Sequence, residues 1–419
     1  MQKVKNIVSD IKRNFLLGGR IDYVFLCAVF ALFTIGLVMM YSASYASAAS
    51  KYGDPAYYLK RQFFIGLFGF VCMIIISKID YRILNSKLTL IFYLLSIGLL
   101  VFSLVYNRGG GDQDTSRWIS IAGISFQPSE IAKFALILTM SYCMCVLQKP
   151  LRAPKGMQAK LTFNQDTASE FEKKIFSNCR GQLSSGIFLL TIVASFCILI
   201  LFQKHVSATI LVFLLGFSMI ALSGANKKYF IIIIALVAIV VAIAIIFPDT
   251  LSLLPGFAES RVKWWIDKDN PAYYEFRRQT VNGLYAIGSG GLFGVGLGGS
   301  KQKQLFVYEP QNDFVFPIVV EELGFVGAVL ILLLFAFLIY RGYKIAIRCK
   351  DYFGSLLVMG VMNQIAIQTI INMCVVTDLI PNTGMSLPFF SYGGTAILIL
   401  LCEIGVVLSV SRTSSVEKA

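Results

Sequence analysis

The chain has 419 residues, 57% of them hydrophobic and only 14% charged, with a mean hydropathy of +0.73. That balance excludes a soluble domain, and repeated apolar runs of about 20 residues exclude an outer-membrane barrel, whose strands are about 10 alternating residues. The formal charge of +14 does not point to nucleic acid, because the lysines and arginines sit between apolar runs without forming a long basic tract; such a pattern sets membrane orientation and attracts anionic headgroups.

The apolar runs predict an all-α polytopic membrane protein, a single domain over 1–419 with about ten transmembrane helices. The spans fall at 21–41, 61–77, 88–106, 129–147, 186–202, 206–224, 228–247, 314–340, 353–377 and 388–411. The first run is too long for a signal-peptide core and lacks a clear cleavage site after it, so it reads as a retained span. Lysine and arginine concentrate in alternate connectors, which places both termini in the cytoplasm. None of the nine cysteines offers a disulfide or zinc spacing on the outer side. No pair of interrupted helices in corresponding halves suggests an inverted-repeat transporter.

Two connectors are long. Residues 148–185 form a basic, polar cytoplasmic loop, and 248–313 form a large extracytoplasmic loop between spans seven and eight. Loops of the second length and composition are usually functional. It carries the aromatic-basic segment Arg261-Val-Lys-Trp-Trp, an amphipathic stretch around 273–284, and then a glycine-rich run.

Taken in order, the first candidate cluster precedes span four: Arg117-Trp-Ile, then Gln127-Pro-Ser-Glu-Ile-Ala-Lys133. Pro128 suits the first helical position, and Glu130 favours the positive end of the helix dipole. Glu130 and Lys133 are three apart, so they share a face, and ionisable side chains at membrane depth are costly enough to favour a function. Trp118 is an interfacial anchor or a platform for a sugar or lipid. The lone His205 sits in a tight turn and reads as a hydrogen-bonded structural residue. The formal GxGxxG at Gly294, Gly296 and Gly299 follows no strand and opens no βαβ unit, so it is not a dinucleotide motif. Its glycines either make tight turns or bring backbone N–H groups to an anion. Lys301, Lys303, Glu309 and Asp313 follow; as a solvated set they would form weak surface pairs. Asp313, however, abuts the apolar run that starts at Phe314, and a carboxylate partly withdrawn from water there is a stronger base. Gln364, Gln368 and Asn372 share one face of span nine, which lines a cavity or a helix contact. These clusters all lie at the outer ends of helices.

The combination of Tyr41-Ser-Ala-Ser, Arg117-Trp-Ile, Gln127-Pro-Ser-Glu with Lys133, Ala286-Ile-Gly-Ser-Gly-Gly, Asn312-Asp-Phe, Glu321-Glu-Leu-Gly and Leu387-Pro-Phe-Phe-Ser-Tyr-Gly-Gly resembles the shape, elongation, division and sporulation (SEDS) family. The resemblance spans nearly the whole chain and is nearest to the FtsW division and sporulation branch. It implies a peptidoglycan glycosyltransferase that polymerises lipid II at the outer face of the bacterial cytoplasmic membrane, at the division septum. The family's essential aspartate falls on Asp313, and its upstream glutamate on Glu309, although the order here is Glu-Pro rather than Pro-Glu. Its Arg-Trp and Lys positions fall on Arg117, Trp118 and Lys133.

In that reaction a sugar hydroxyl attacks an anomeric carbon whose leaving group is a lipid pyrophosphate. The leaving group needs charge stabilisation more than protonation, so one base suffices, unlike in glycoside hydrolysis. Asp313 is the expected base, and Arg117, Lys133, Lys303 and Arg261 are the candidate pyrophosphate cations. Glu130, Gln279, Ser300 and Glu309 complete the expected substrate-binding set. No cofactor is certain, and a divalent cation (Mg or Mn) is a candidate to share the charge. The implied partners are a class B penicillin-binding protein transpeptidase and other divisome membrane proteins. A lipid II flippase and a non-enzymatic division scaffold are the competing classes.

Overall fold

The computed structural model describes residues 19–85, 87–106, 118–121, 124–147, 182–222, 256–268 and 270–416. Arg117, the expected span at 228–247, residues 248–255 and almost all of the loop at 148–185 lie outside that set.

Eleven helices are described: α1 (Tyr23–Tyr52), α2 (Tyr57–Lys78), α3 (Lys87–Tyr106), α4 (Pro128–Val146), α5 (Gln182–Phe202), α6 (Val206–Leu222), α7 (Gly256–Ile266), α8 (Tyr274–Ser289), α9 (Val315–Arg348), α10 (Tyr352–Val376) and α11 (Gly394–Val416). Among the described residues, eight of these are long and apolar enough to cross a membrane, and α6 is apolar but shorter. The protein is therefore an all-α multi-pass membrane protein. Its one departure among the described residues is a short antiparallel pair, β1 (Ile119–Ile121) with β2 (Ile124–Phe126), placed just before α4.

Local signals explain the helix ends. Asp22 caps α1 by accepting from the Phe25 N–H (3.0 Å), and Asp351 caps α10 through the Gly354 N–H (3.1 Å). Pro128 opens α4 as its sequence suggests. Helices α4 and α10 bury most of their length and form the centre of the bundle, whereas α2 and α3 expose most of theirs and face lipid. Helix α2 packs along α11, α3 along α4, α5 along α6, and α9 along both α1 and α10.

Three boundaries differ from the sequence expectation. Helix α1 continues to Tyr52, so its last turns rise past a hydrocarbon core of about 30 Å. The last helix starts at Gly394, not at 388, because residues 387–393 form a non-helical plug inside the bundle. Gly36 of α1 lets the plug in: a side chain there would strike the Phe389 carbonyl at 2.4 Å. Non-helical backbone at that depth persists only when its polar groups find protein partners. They do: Ser391 Oγ accepts from the Leu387 N–H (2.7 Å), and Gln62 donates to the Ser391 carbonyl and accepts from the Gly393 N–H (3.3 Å each).

The third difference is a break in α9 at Gly324, whose φ of 71° lies in the left-handed region. The glycine-rich run splints that break. Phe325 and Val326 donate to the carbonyls of Gly291 (2.9 Å) and Leu292 (3.1 Å), while the carbonyls of Glu321 and Glu322 accept from Val295 (2.9 Å) and Gly296 (3.0 Å). Four backbone groups freed around the break thus find partners in the loop. The tight-turn reading of these glycines is the one the backbone follows.

Candidate functional site at one end of the bundle

Asp313 sits immediately before α9 and is half-buried. Its position is fixed through the backbone: Asn372 of α10 donates to the Asp313 carbonyl (2.9 Å) and to the Met385 carbonyl (2.6 Å). The polar face expected on α10 is thereby a clamp rather than a lipid-facing stripe. One turn away, Gln368 donates to the Ser386 carbonyl (2.9 Å), and a further turn down Gln364 donates to Glu403 of α11 (2.9 Å). The segment held by this clamp passes the carboxylate itself, for a side chain at Gly384 would lie 3.5 Å from Asp313 Oδ2.

The same segment continues into a narrow cleft of about 40 Å³, lined by Glu130, Lys133, Gln364, Gln368 and Ser386 together with the plug. Lys133 is 3% exposed and paired with Glu130 at 2.6 Å, both on the first turns of α4. An ammonium so buried is tolerable only beside its carboxylate. The pair lies on the wall of a cleft that Ser386 also lines, and Ser386 is two residues from Gly384 beside Asp313. His205 packs against this region, with Gln127 Nε2 at 3.0 Å from Nδ1.

The other expected residues divide into two groups. Gln279 of α8 lies near Asp313, donating to the Tyr308 carbonyl (2.8 Å) and accepting from Asn382 (3.4 Å). Arg261 of α7 donates to the Asn382 carbonyl (3.1 Å), so the 378–386 segment links both to Asp313. Trp118, 37% exposed, stands just ahead of β1. Ser300 and Lys303 are placed elsewhere: both are buried in an anchor beneath the glycine loop. Lys303 pairs with Glu322 (2.8 Å) and donates to Ser42 of α1 (3.0 Å), while Ser300 donates to Glu321. Glu321 also accepts from the Lys301 N–H at 2.9 Å, so the anion embraced by this loop is the protein's own carboxylate. Glu309, expected beside Asp313 as a loop carboxylate, pairs with Lys51 (3.3 Å) at the top of α1 and accepts from Asn312 (2.9 Å).

Two residues escaped the sequence reading. Glu403 is an acid in the middle of an apolar span, a signal in itself. Asp378 collects Lys268 and Arg277 at 2.8 Å each, a pairing across about a hundred residues that no local pattern reveals.

The structure is that of a multi-pass helical membrane protein with a carboxylate, a buried lysine and an arginine toward one end of its bundle. The particular lineage is shown by comparison: residues 23–416 match the FtsW/RodA/SpoVE family of cell cycle proteins, and the chain belongs to that family. It is 34% identical over 395 residues to stage V sporulation protein E of Bacillus subtilis, covering 94% of this chain and 97% of the relative. It is 32% identical over 394 residues to the probable peptidoglycan glycosyltransferase FtsW of Geobacter sulfurreducens, covering 94% and 95%. Its fold is similar to a chain from a peptidoglycan synthase complex solved for the coordination of polymerisation and crosslinking (TM-score 0.69, 22% identity, 94% and 98% covered). It is also similar to Thermus thermophilus rod shape determining protein RodA (TM-score 0.60, 23% identity, 94% and 97% covered).

Proposed function

We propose that the protein is a peptidoglycan glycosyltransferase that polymerises lipid II, with Asp313 taking the proton from, or orienting, the acceptor hydroxyl. The observation that carries this reading is the position of Asp313, clamped by Asn372 beside the segment that leads into the Glu130–Lys133 cleft. The names of the relatives support the reaction class. Lys133 supplies a point charge for the pyrophosphate, and Arg261 can approach it through the 382–384 segment, with Arg117 as a further cation. Lys303 is engaged with Glu322 and Ser42, which favours an anchoring role for it.

A divalent cation, Mg or Mn, would arrive with the pyrophosphate, whose oxygens Mg favours as ligands. Among the described residues, no cluster of three or more His, Cys, Asp and Glu side chains forms a protein cage.

In this reading the Asp313 end is extracytoplasmic and both termini are cytoplasmic, as the distribution of lysine and arginine favours. The protein works at the division septum beside a class B penicillin-binding protein transpeptidase. The test is reconstituted protein given lipid II and scored for polymer and for transbilayer movement. Wild type is expected to polymerise and Asp313→Asn to lose at least about a hundredfold in rate, the lower range for removing a general base. Full activity of Asp313→Asn overturns the assignment of Asp313, and movement of lipid II without polymer identifies a transporter instead.

A further inference from the structure

A second cleft opens beside the first, between α7, α8 and the 378–382 segment. It is open to solvent, with about 150 Å³ of accessible space. Its walls are aromatic: Trp264 stacks on Phe276 with ring centroids 4.2 Å apart and planes 10° from parallel, and Trp265 lines the same space. Phe276 is 60% exposed, so this is an open aromatic face and not a closed core.

The polar rim is held in place by internal bonds. Arg277 and Lys268 share the Asp378 carboxylate at 2.8 Å each, and Trp265 Nε1 donates to the Asp378 carbonyl (3.1 Å). Arg261 and Arg277 line the cleft with this one carboxylate, so the rim presents fixed guanidinium N–H donors to the oxygens of a ligand. Flat aromatic faces beside fixed hydrogen-bonding groups are amphipathic, with a large apolar surface and polar edges. That combination fits a pyranose ring, which has an apolar C–H face and hydroxyl or acetamido edges.

The cleft also lies close to the proposed site of bond formation. Asn382 lines it, and Gly384, two residues on and hence at most about 7 Å away along the chain, flanks the Asp313 carboxylate. We propose that this cleft is a subsite for the N-acetylated glycan strand, holding sugars one or two units from the end that reacts at Asp313. The inference rests on the glycosyltransferase reading.

The test is isothermal titration of full-length protein in lipid nanodiscs with a soluble N-acetylglucosamine tetramer. Saturable binding is expected, weakened about tenfold by Trp264→Ala and by Phe276→Ala and retained by Trp264→Phe, which keeps an aromatic face and guards against misfolding. Binding is also expected to persist in Asp313→Asn, and because it is read without turnover it stands or falls apart from the assignment of the base. Absence of saturable binding by wild type, or equal binding by wild type and Trp264→Ala, overturns the proposal. So does quenching of Trp264 by brominated acyl chains, which would make the aromatic pair a membrane anchor.

Discussion

Lys133 and Glu130 have to be considered together, because each is at membrane depth only by virtue of the other. With Lys133 3% and Glu130 14% exposed, removing the lysine alone leaves a carboxylate poorly solvated on a cleft wall, a loss of about 3 kcal/mol or more. Removing both charges with residues of similar shape relieves that penalty. Lys133→Met is therefore expected to lower thermal stability and abolish polymerisation, while Lys133→Met with Glu130→Gln recovers most of the melting temperature and none of the activity. A double variant that regains polymerisation would show the pair to be structural only. The pair was legible in the sequence because its spacing is local. The neighbouring Glu403 was just as visible as a charge in an apolar run, yet its partner Gln364 lies on another helix and no spacing predicts that contact.

At the scale of elements, the glycine run, the broken α9 and the Lys303–Glu322–Ser42 anchor form one unit. Gly324 cannot accept a side chain: a Cβ would meet the Gly294 nitrogen at 2.3 Å and the Leu292 oxygen at 2.5 Å, at a φ that L-residues avoid. Gly324→Ala is expected to cost about 2–3 kcal/mol, read as a fall in the unfolding temperature of the purified protein. The anchor below it gives a separate prediction. Lys303→Met alone strands Glu322, whose side chain is fully buried, and should destabilise by about 3–5 kcal/mol. Lys303→Met with Glu322→Leu should recover most of that, as measured by the same melt. The sequence showed Glu321-Glu-Leu-Gly as part of a continuous apolar helix because one glycine inside a helix is ordinarily tolerated at about 1 kcal/mol. What breaks α9 is the loop that replaces its hydrogen bonds, a long-range contact. Likewise Lys303 read as a surface cation because its neighbours in sequence are polar, whereas its partners are on α1 and α9.

Over the whole molecule, the apolar runs were long enough to fix most spans, since membrane thickness imposes their length directly. The plug at 387–393 was misplaced into a span because Leu-Pro-Phe-Phe is as apolar as a helix, and only Gln62, Gln368 and Gly36 on other elements show that it is not one. The anchor and the break also locate the bilayer boundary. Ser42 lies about 30 Å along α1 from Asp22, and Gly324 lies about 25 Å along α9 from Arg341, which pairs with Asp22 at 2.9 Å. Two helices measured from one ion pair thus put the glycine loop about one hydrocarbon-core thickness from the Asp22 end. Its tip is apolar and outward-facing there: Phe293 is 80% exposed, Leu292 64% and Leu297 65%, with Phe325 of α9 beside them at 61%. In water such a patch would be unfavourable, whereas at that depth it meets acyl chains. A tryptophan placed at Phe293, with Trp118, Trp264 and Trp265 changed to Phe, is expected to be quenched by lipids brominated near the headgroup end of the chain. It should be quenched far less by lipids brominated at the chain terminus or by aqueous iodide. Strong iodide quenching would place the loop in water and move the bilayer boundary toward the Asp22 end, leaving the Lys303–Glu322 pair outside the membrane.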